Sequence, residues 1–392
     1  MHEHYDFLVF ENFYRAVNHN KDVDIISIFL TKLGYKVAIP DVFPLNNYKF
    51  WDGVPTLRTK HQFTPLKGNS KWLPGRACNI LDDIRWNWHL HKVLKEMKGK
   101  YNHLYVGSYY TKMLPIWFFD IPKASNVYFW GLRSFWLHEY KYSHSIRGLN
   151  SFFLNLLVKR YDNLRFFVSD EAIKEEFVKL NVAPHRLVLR YERFVAEIPP
   201  FRTAGNEVCT LLSIGSFRAE KRIEKIVSAL SEIKIPYKYI IAGKADDIYG
   251  KVIESALKEA KNVERINKRL TDDEFNEIFD SCDYLILNDI KPPSCVTNGT
   301  MNEALLKGKP IIAPNYEPYK SVVEKFGVGI LFNPDEEGSL QSVIERAIIT
   351  QPNSFKKALV KYQETLTFEV VLEVFRKDLE YSLKNGCENG TN

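Results

Sequence analysis

Hydrophobic positions recur along this chain in two alternating patterns: short runs of strand formers, and longer stretches with apolar residues three and four apart. FLVF at Phe7–Phe10 is the first run. Val23, Ile26, Leu30 and Leu33 then line one face of a predicted helix, which Gly34 ends. KVAI at Lys36–Ile39 predicts a second strand, so the chain opens as strand, helix, strand. His103–Val106 and Asn126–Trp130 continue as strands, and Ile80–Met97 and Leu149–Val158 read as amphipathic helices. Asn163–Arg190 reads as strand, helix, strand, with Ser169 as the helix cap.

The second half repeats the pattern. Leu211–Ile214 predicts a strand, Gly215–Lys221 a loop, and the following residues a helix through Leu230. Tyr239–Ala242 is the next strand, ending at Gly243-Lys244, and Thr271-Asp-Asp-Glu274 has the spacing of a capping box. The apolar run Asp283–Asn288 suits a strand buried on both faces. After a Pro- and Ser-containing loop, Asn298–Lys307 reads as a helix with Met301, Ala304 and Leu305 on its apolar stripe. Gly308 stops it, Lys309–Pro314 and Val328–Phe332 return as strands, and helices including Phe368–Leu383 close the chain. Strands alternating with helices predict an α/β protein with parallel sheets. The Pro199-Pro200 stretch within Tyr191–Glu207 reads as a linker, which sets the expected domains at residues 1–205 and 206–392.

Composition narrows the class. The chain has 392 residues, 45% hydrophobic and 26% charged, enough for about two domains with separate cores. No apolar run approaches the roughly 20 residues that span a bilayer. The opening residues lack the basic start and cleavage site of a signal peptide, so a cytoplasmic protein is expected. Five scattered cysteines without a Cys-x-x-Cys pair suit a reducing compartment and argue against structural zinc. A net charge of +6 suits anionic ligands or a membrane surface and is too small for a dedicated nucleic-acid binder.

Candidate chemistry gathers in the second half. Arg218, Lys221 and Arg222 crowd a predicted helix start, where cations oppose the macrodipole, a pattern best explained by a bound anion. Asn298, Gly299 and Thr300 open another helix, whose free N–H groups suit a phosphate. Glu303 lies opposite that helix's apolar stripe, either as a surface partner of Lys307 or as an acceptor for a ribose diol. In the first half, Glu11, Arg15 and His19 follow the first strand at its carboxyl end, where open α/β sheets bind ligands. Asp22 starts the next helix, and Arg133 follows a later strand, facing either an anionic substrate or a structural partner. Residues 44–79 mix lysines and arginines with Phe50, Trp51, Phe63 and Trp72; they suit an anionic lipid surface or a solvated excursion.

LLSIGSFRAEK, YIIAG, TDDEFNEIFDSCDYLIL and NEALLKGKPIIA, in that order, resemble the C-terminal half of family-4 type (group 1) glycosyltransferases of the GT-B fold. The resemblance covers about a third of the chain, Cys209–Pro334. Two departures stand out: the first of the family's paired glutamates falls at Cys295, and the Arg expected directly after Gly215 is Ser216, with Arg218 nearby. The resemblance implies two Rossmann-like domains facing a cleft, the last helix crossing back to the first. It implies an enzyme, a metal-independent hexosyltransferase without cofactor, acting on a nucleoside-diphosphate sugar. Gly215, Ser216, Arg218, Lys221, Gly243, Arg269, Asn298, Gly299, Thr300 and Glu303 would bind the donor, the base resting near Asn267–Leu270. Lys221, Arg218 and Glu303 would serve catalysis with His19 and Glu11, while Arg15, Asp22 and Arg133 would meet the acceptor. The expected acceptor is a glycan or lipid-linked glycan in capsule, exopolysaccharide or lipopolysaccharide synthesis, at the inner membrane face and without nucleic acid. A sugar-nucleotide epimerase of the same fold and a nucleotide-sugar-binding scaffold are the alternative readings.

Overall fold

A computed structural model describes residues 4–11, 20–41, 54–61, 75–107, 124–131, 156–179, 181–201, 208–291 and 298–385. The chain divides into two compact units, Met1–Glu192 with Leu372–Asn392, and Arg193–Val371.

The first unit holds β1 (Tyr5–Glu11), β2 (Val37–Asp41), β3 (Thr56–Arg58), β4 (Tyr101–Gly107), β5 (Asn126–Gly131), β6 (Leu164–Val168) and β7 (Leu187–Leu189). They form one sheet in the order β3-β2-β1-β4-β5-β6-β7, with every pairing parallel. Such a sheet is covered on both faces, and Phe7, Leu8 and Val9 are accordingly fully buried. The helix Asn20–Lys32 packs its predicted face, with Val23, Ile26 and Leu30 all at zero exposure. The last helix, Phe368–Lys384, begins in the second unit and ends in the first. Within the first unit, Phe375 packs on Phe29 and Phe167 with ring centroids 5.4 Å apart in each case. Asp378 accepts from the Leu189 amide at 2.8 Å and pairs with Lys174.

Three sequence expectations change here. Part of the 44–79 excursion is regular structure: Thr56–Arg58 adds an edge strand to β2, and the helix expected from Ile80 already begins at Gly75. The helix Glu171–Lys179 is capped by Asp170, whose Oδ1 accepts from the Ile173 amide at 2.8 Å, and not by Ser169. Ser169 stands one residue too early to reach that amide, and its hydroxyl bonds Asp170 instead. The segment read as a linker packs on the second unit: Val195 bridges Thr367, and the amide of Val195 donates to Leu366 O at 2.9 Å.

The second unit contains β8 (Cys209–Ile214), β9 (Tyr237–Ala242), β10 (Val263–Ile266), β11 (Tyr284–Ile286), β12 (Ile311–Pro314) and β13 (Gly329–Phe332). Their order is β10-β9-β8-β11-β12-β13, again with every pairing parallel. This is the doubly wound order of a Rossmann sheet, and strand order reverses between β8 and β11. The helix Ile223–Ser231 covers one face with Ile223, Ile226, Val227 and Leu230, each buried and worth about 2 kcal/mol relative to exposure. The capping box forms as the sequence predicts: Thr271 Oγ1 accepts from the Glu274 amide at 3.3 Å, and Glu274 accepts from the Thr271 amide at 2.9 Å.

Candidate active site

In a doubly wound sheet, ligands bind outside the carboxyl ends of the strands where the order reverses. Here that place lies between the loops leaving β8 and β11. The first loop starts at Gly215, whose φ of +124° suits glycine alone. Gly243, at the end of β9, packs so tightly behind it that a Cβ there would stand 1.9 Å from the Gly215 carbonyl oxygen. A Cβ on Gly215 would point at Thr300 Oγ1, 3.9 Å away, so this loop and the head of the helix Gly299–Leu306 face each other.

Ala219–Lys221 forms one 3-10 turn, and Arg222 follows at φ +45°, in the left-handed region. That turn aims the Arg222 guanidinium away from the helix it precedes. Its Nε donates to Asn288 O and its Nη2 to Asn288 Oδ1 and Asp289 O, all at 3.1 Å. The carbonyls of the β11 loop thus accommodate one of the three cations that the sequence placed against the helix dipole. Lys221 reaches the same loop: its Nζ lies 2.8 Å from Asp289 Oδ1. That oxygen has no aligned hydrogen bond, so the link is an ion pair by proximity. Arg218 stays exposed and pairs loosely with Glu220 at 3.7 Å. Ser216 is exposed as well.

Asn298 caps the helix Gly299–Leu306. Its Oδ1 accepts from the Met301 amide at 2.9 Å, and its carbonyl accepts from the Asn302 amide at 3.1 Å. The amides of Gly299 and Thr300 have no partner among the described residues and remain available to an anion. The Asn298 Nδ2 donates to Asp289 Oδ2 at 2.9 Å and to the Tyr319 hydroxyl at 2.7 Å. Tyr319 donates to the same carboxylate oxygen, and Tyr316 donates to the Asp289 carbonyl. Burial, and then the Asp289 charge, push the Tyr319 hydroxyl well above its ordinary pKa, so it stays a donor.

Of the predicted donor residues, the structure brings Gly215, Lys221, Gly243, Asn298, Gly299 and Thr300 into one neighbourhood. Glu303, one turn further on, lies 3.9 Å from Lys307, whose Nζ also donates to Asn276 at 2.7 Å. Arg269 is exposed. Next to it, Asn267 Oδ1 accepts from Arg265 Nη2 at 3.0 Å, and the Arg265 guanidinium lies 5.1 Å from the Phe217 ring centre. Asp289, Tyr316 and Tyr319 escaped the sequence reading. An acid just past the carboxyl end of β11 was the available signal. In the first unit, Glu11 ends β1 and Asp22 lies in the first turn of the next helix. Arg15, His19, Arg133 and Cys295 lie outside the described residues, as do the side chains of Glu11 and Asp22.

Residues 197–364 match the family model of glycosyl transferases group 1. The second unit is thus similar to group 1 glycosyltransferases. The match lies wholly inside that unit and takes in nearly all of it. Solved structures extend the similarity to the whole chain. Sucrose-phosphate synthase from Thermosynechococcus elongatus aligns at 15% identity and a TM-score of 0.67, over 96% of this chain and 99% of that one. HepE of Anabaena, in complex with UDP-glucose, aligns at 14% and 0.64 over the same shares. WaaG, a glycosyltransferase involved in lipopolysaccharide biosynthesis, aligns at 12% and 0.62, over 96% and 98%. The fold they share with this chain is GT-B, built from two Rossmann-like domains. No curated protein sequence matches the chain. Among the described residues, no helix is long and apolar enough to cross a membrane.

Proposed function

We propose that the protein is a glycosyltransferase that moves a hexosyl group from a nucleoside-diphosphate sugar to a saccharide or lipid-linked saccharide. The observation that carries this reading is the meeting of Lys221 and the Asn298 cap at the switch point of the second unit, joined through Asp289. Lys221, aided by Arg218, neutralises the charge that builds on the leaving diphosphate, the main catalytic contribution such a site offers. The Gly299 and Thr300 amides hold its oxygens, and Glu303 accepts from the ribose hydroxyls. These charges sit where a divalent ion would otherwise act, so the reading needs neither metal nor cofactor. UDP-glucose in the HepE structure favours a uridine donor.

The acceptor belongs to the first unit, where Glu11, Arg15, Asp22, His19 and Arg133 are candidates. The basic, aromatic residues of 44–79 suit an anionic headgroup, which favours a peripheral enzyme at the inner membrane face, in polysaccharide or lipopolysaccharide assembly. A thermal-shift panel of UDP, GDP, ADP and CDP and their sugars tests the donor: saturation a hundredfold above Kd adds about 2.7 kcal/mol of stability. Radiolabelled donor, with and without membrane extract, tests the transfer. Acceptor-dependent release of nucleoside diphosphate supports the proposal. Isomerised donor supports an epimerase instead, and a protein unmoved by every nucleotide overturns the donor site.

A further inference from the structure

Asp289 is the point at which three separate loops of the second unit meet. Lys221 and Arg222 come from the loop after β8, Asn298 from the head of the helix that follows β11, and Tyr316 and Tyr319 from the segment after β12. All five contact Asp289, its carboxylate or its carbonyl. Its two carboxylate oxygens divide the work. Oδ1 faces the Lys221 ammonium at 2.8 Å, and Oδ2 takes the Asn298 amide and the Tyr319 hydroxyl. The Asp289 side chain is only 14% exposed, while that of Lys221 is 29% exposed.

An ammonium has three N–H donors, so an ion pair with one carboxylate oxygen leaves donors free for an incoming oxyanion. A free lysine side chain samples many rotamers, and a fixed partner removes that freedom before the anion binds. The same carboxylate fixes the cap that orients the Gly299 and Thr300 amides. It therefore sets the distance between the two halves of the anion site.

We infer that Asp289 is a positioning residue, holding Lys221 and the Asn298 cap in register for the leaving diphosphate. The inference rests on the glycosyl-transfer reading above. Asp289 carries a negative charge close to that diphosphate, and two effects oppose each other in the ground state. Its repulsion weakens binding, while its hold on Lys221 strengthens binding. In the transition state, where charge builds on the leaving oxygen, the placement of the ammonium counts for more. Loss of Asp289 thus acts mainly on kcat.

The test compares Asp289→Asn, Lys221→Gln and the double variant. Asp289→Asn preserves shape and an acceptor for Tyr319 and is expected to lower kcat tenfold or more, with the donor KM within threefold. In the Lys221→Gln background the same change is expected to have no further effect on kcat. Equal loss in both backgrounds, or a wild-type kcat in Asp289→Asn, overturns the inference. A second readout does not depend on turnover. Lys221 labelling by an amine-reactive ester, followed by mass spectrometry, should run several-fold faster in Asp289→Asn than in the parent, at a temperature where both remain folded. Unchanged labelling overturns the pairing even in an active enzyme. Faster labelling in a protein that turns over no nucleotide sugar keeps the pairing and removes the catalytic reading.

Discussion

Gly243 stands against Gly215 so closely that a methyl group on its Cα would lie 1.9 Å from the Gly215 carbonyl oxygen and 2.9 Å from its carbonyl carbon. The obstacle is backbone, which cannot swing aside as a flexible side chain would. Gly243 also has φ +132°, a conformation that L side chains rarely adopt. Gly243→Ala must therefore push the β8 loop out of place, at a cost of about 3 kcal/mol or more. The expected result is a clear drop in melting temperature and the loss of nucleoside-diphosphate binding by calorimetry. Gly215→Ala meets the same strain from its φ of +124° but no backbone clash, its nearest neighbour being Thr300 Oγ1 at 3.9 Å, and should cost less stability than Gly243→Ala. A Gly243→Ala protein that melts and binds like the parent contradicts this packing.

Lys221 and Arg218 of the β8 loop are not equivalent. Lys221 is held beside the helix head, whereas Arg218 is exposed and pairs with Glu220 at 3.7 Å, an arrangement worth about 0–1 kcal/mol. Lys221→Ala should lower kcat/KM by about 10²–10³-fold, the loss seen when one donor to a developing oxyanion is removed. Arg218→Ala should cost at most about tenfold and leave the melting temperature unchanged. Steady-state kinetics with the donor identified in the nucleotide panel decides the order, and an Arg218→Ala loss exceeding that of Lys221→Ala reverses it.

Glu303 has two readings, and its variant separates them. As a surface partner of Lys307 at 3.9 Å it contributes about 0.3–0.5 kcal/mol to the helix and nothing to ligands. As the ribose acceptor it loses a charge-assisted hydrogen bond when its carboxylate becomes an amide. Glu303→Gln should therefore melt within a degree or two of the parent yet bind the nucleoside diphosphate about tenfold more weakly. Equal affinities in a calorimetric titration leave Glu303 as a surface residue.

The features visible in the sequence were those set by neighbours along the chain. Most strands of both sheets follow from apolar runs, Thr56–Arg58 and Val263–Ile266 being the exceptions because each is short and half exposed; the Thr271–Glu274 capping box follows from its spacing, and the Glu303–Lys307 pair from its four-residue offset. Asp289 was hidden because its partners, from Lys221 to Tyr319, are spread over about a hundred residues and meet only after the sheet forms. Arg222 shows a subtler difficulty. A cation at a helix start suggested an anion, but a left-handed residue turns the guanidinium onto the carbonyls of Asn288 and Asp289. Ser169 and Asp170 are both good caps, and a one-residue shift in the helix start decided between them.

His103 links the first unit's stability to pH. Its ring lies on β4 among Phe7, Tyr128 and Asn126, with the Phe7 ring centre 4.9 Å away. Burial pushes the imidazole down to about 4; Asp6 opposes the shift, and Arg165 adds to it. In the unfolded chain the group titrates near its ordinary 6.5. Below that pH the unfolded chain takes up a proton that the folded chain refuses. Stability is therefore complete above about 6.5 and declines as pH falls toward 4, by at most about 3 kcal/mol from this residue. Burial also lowers His89 and His185, which act in the same direction. His103→Phe keeps a ring of similar size and removes the titration. Its melting temperature should fall less than the parent's between pH 7.5 and 5, and an identical fall in both proteins assigns the acid sensitivity elsewhere.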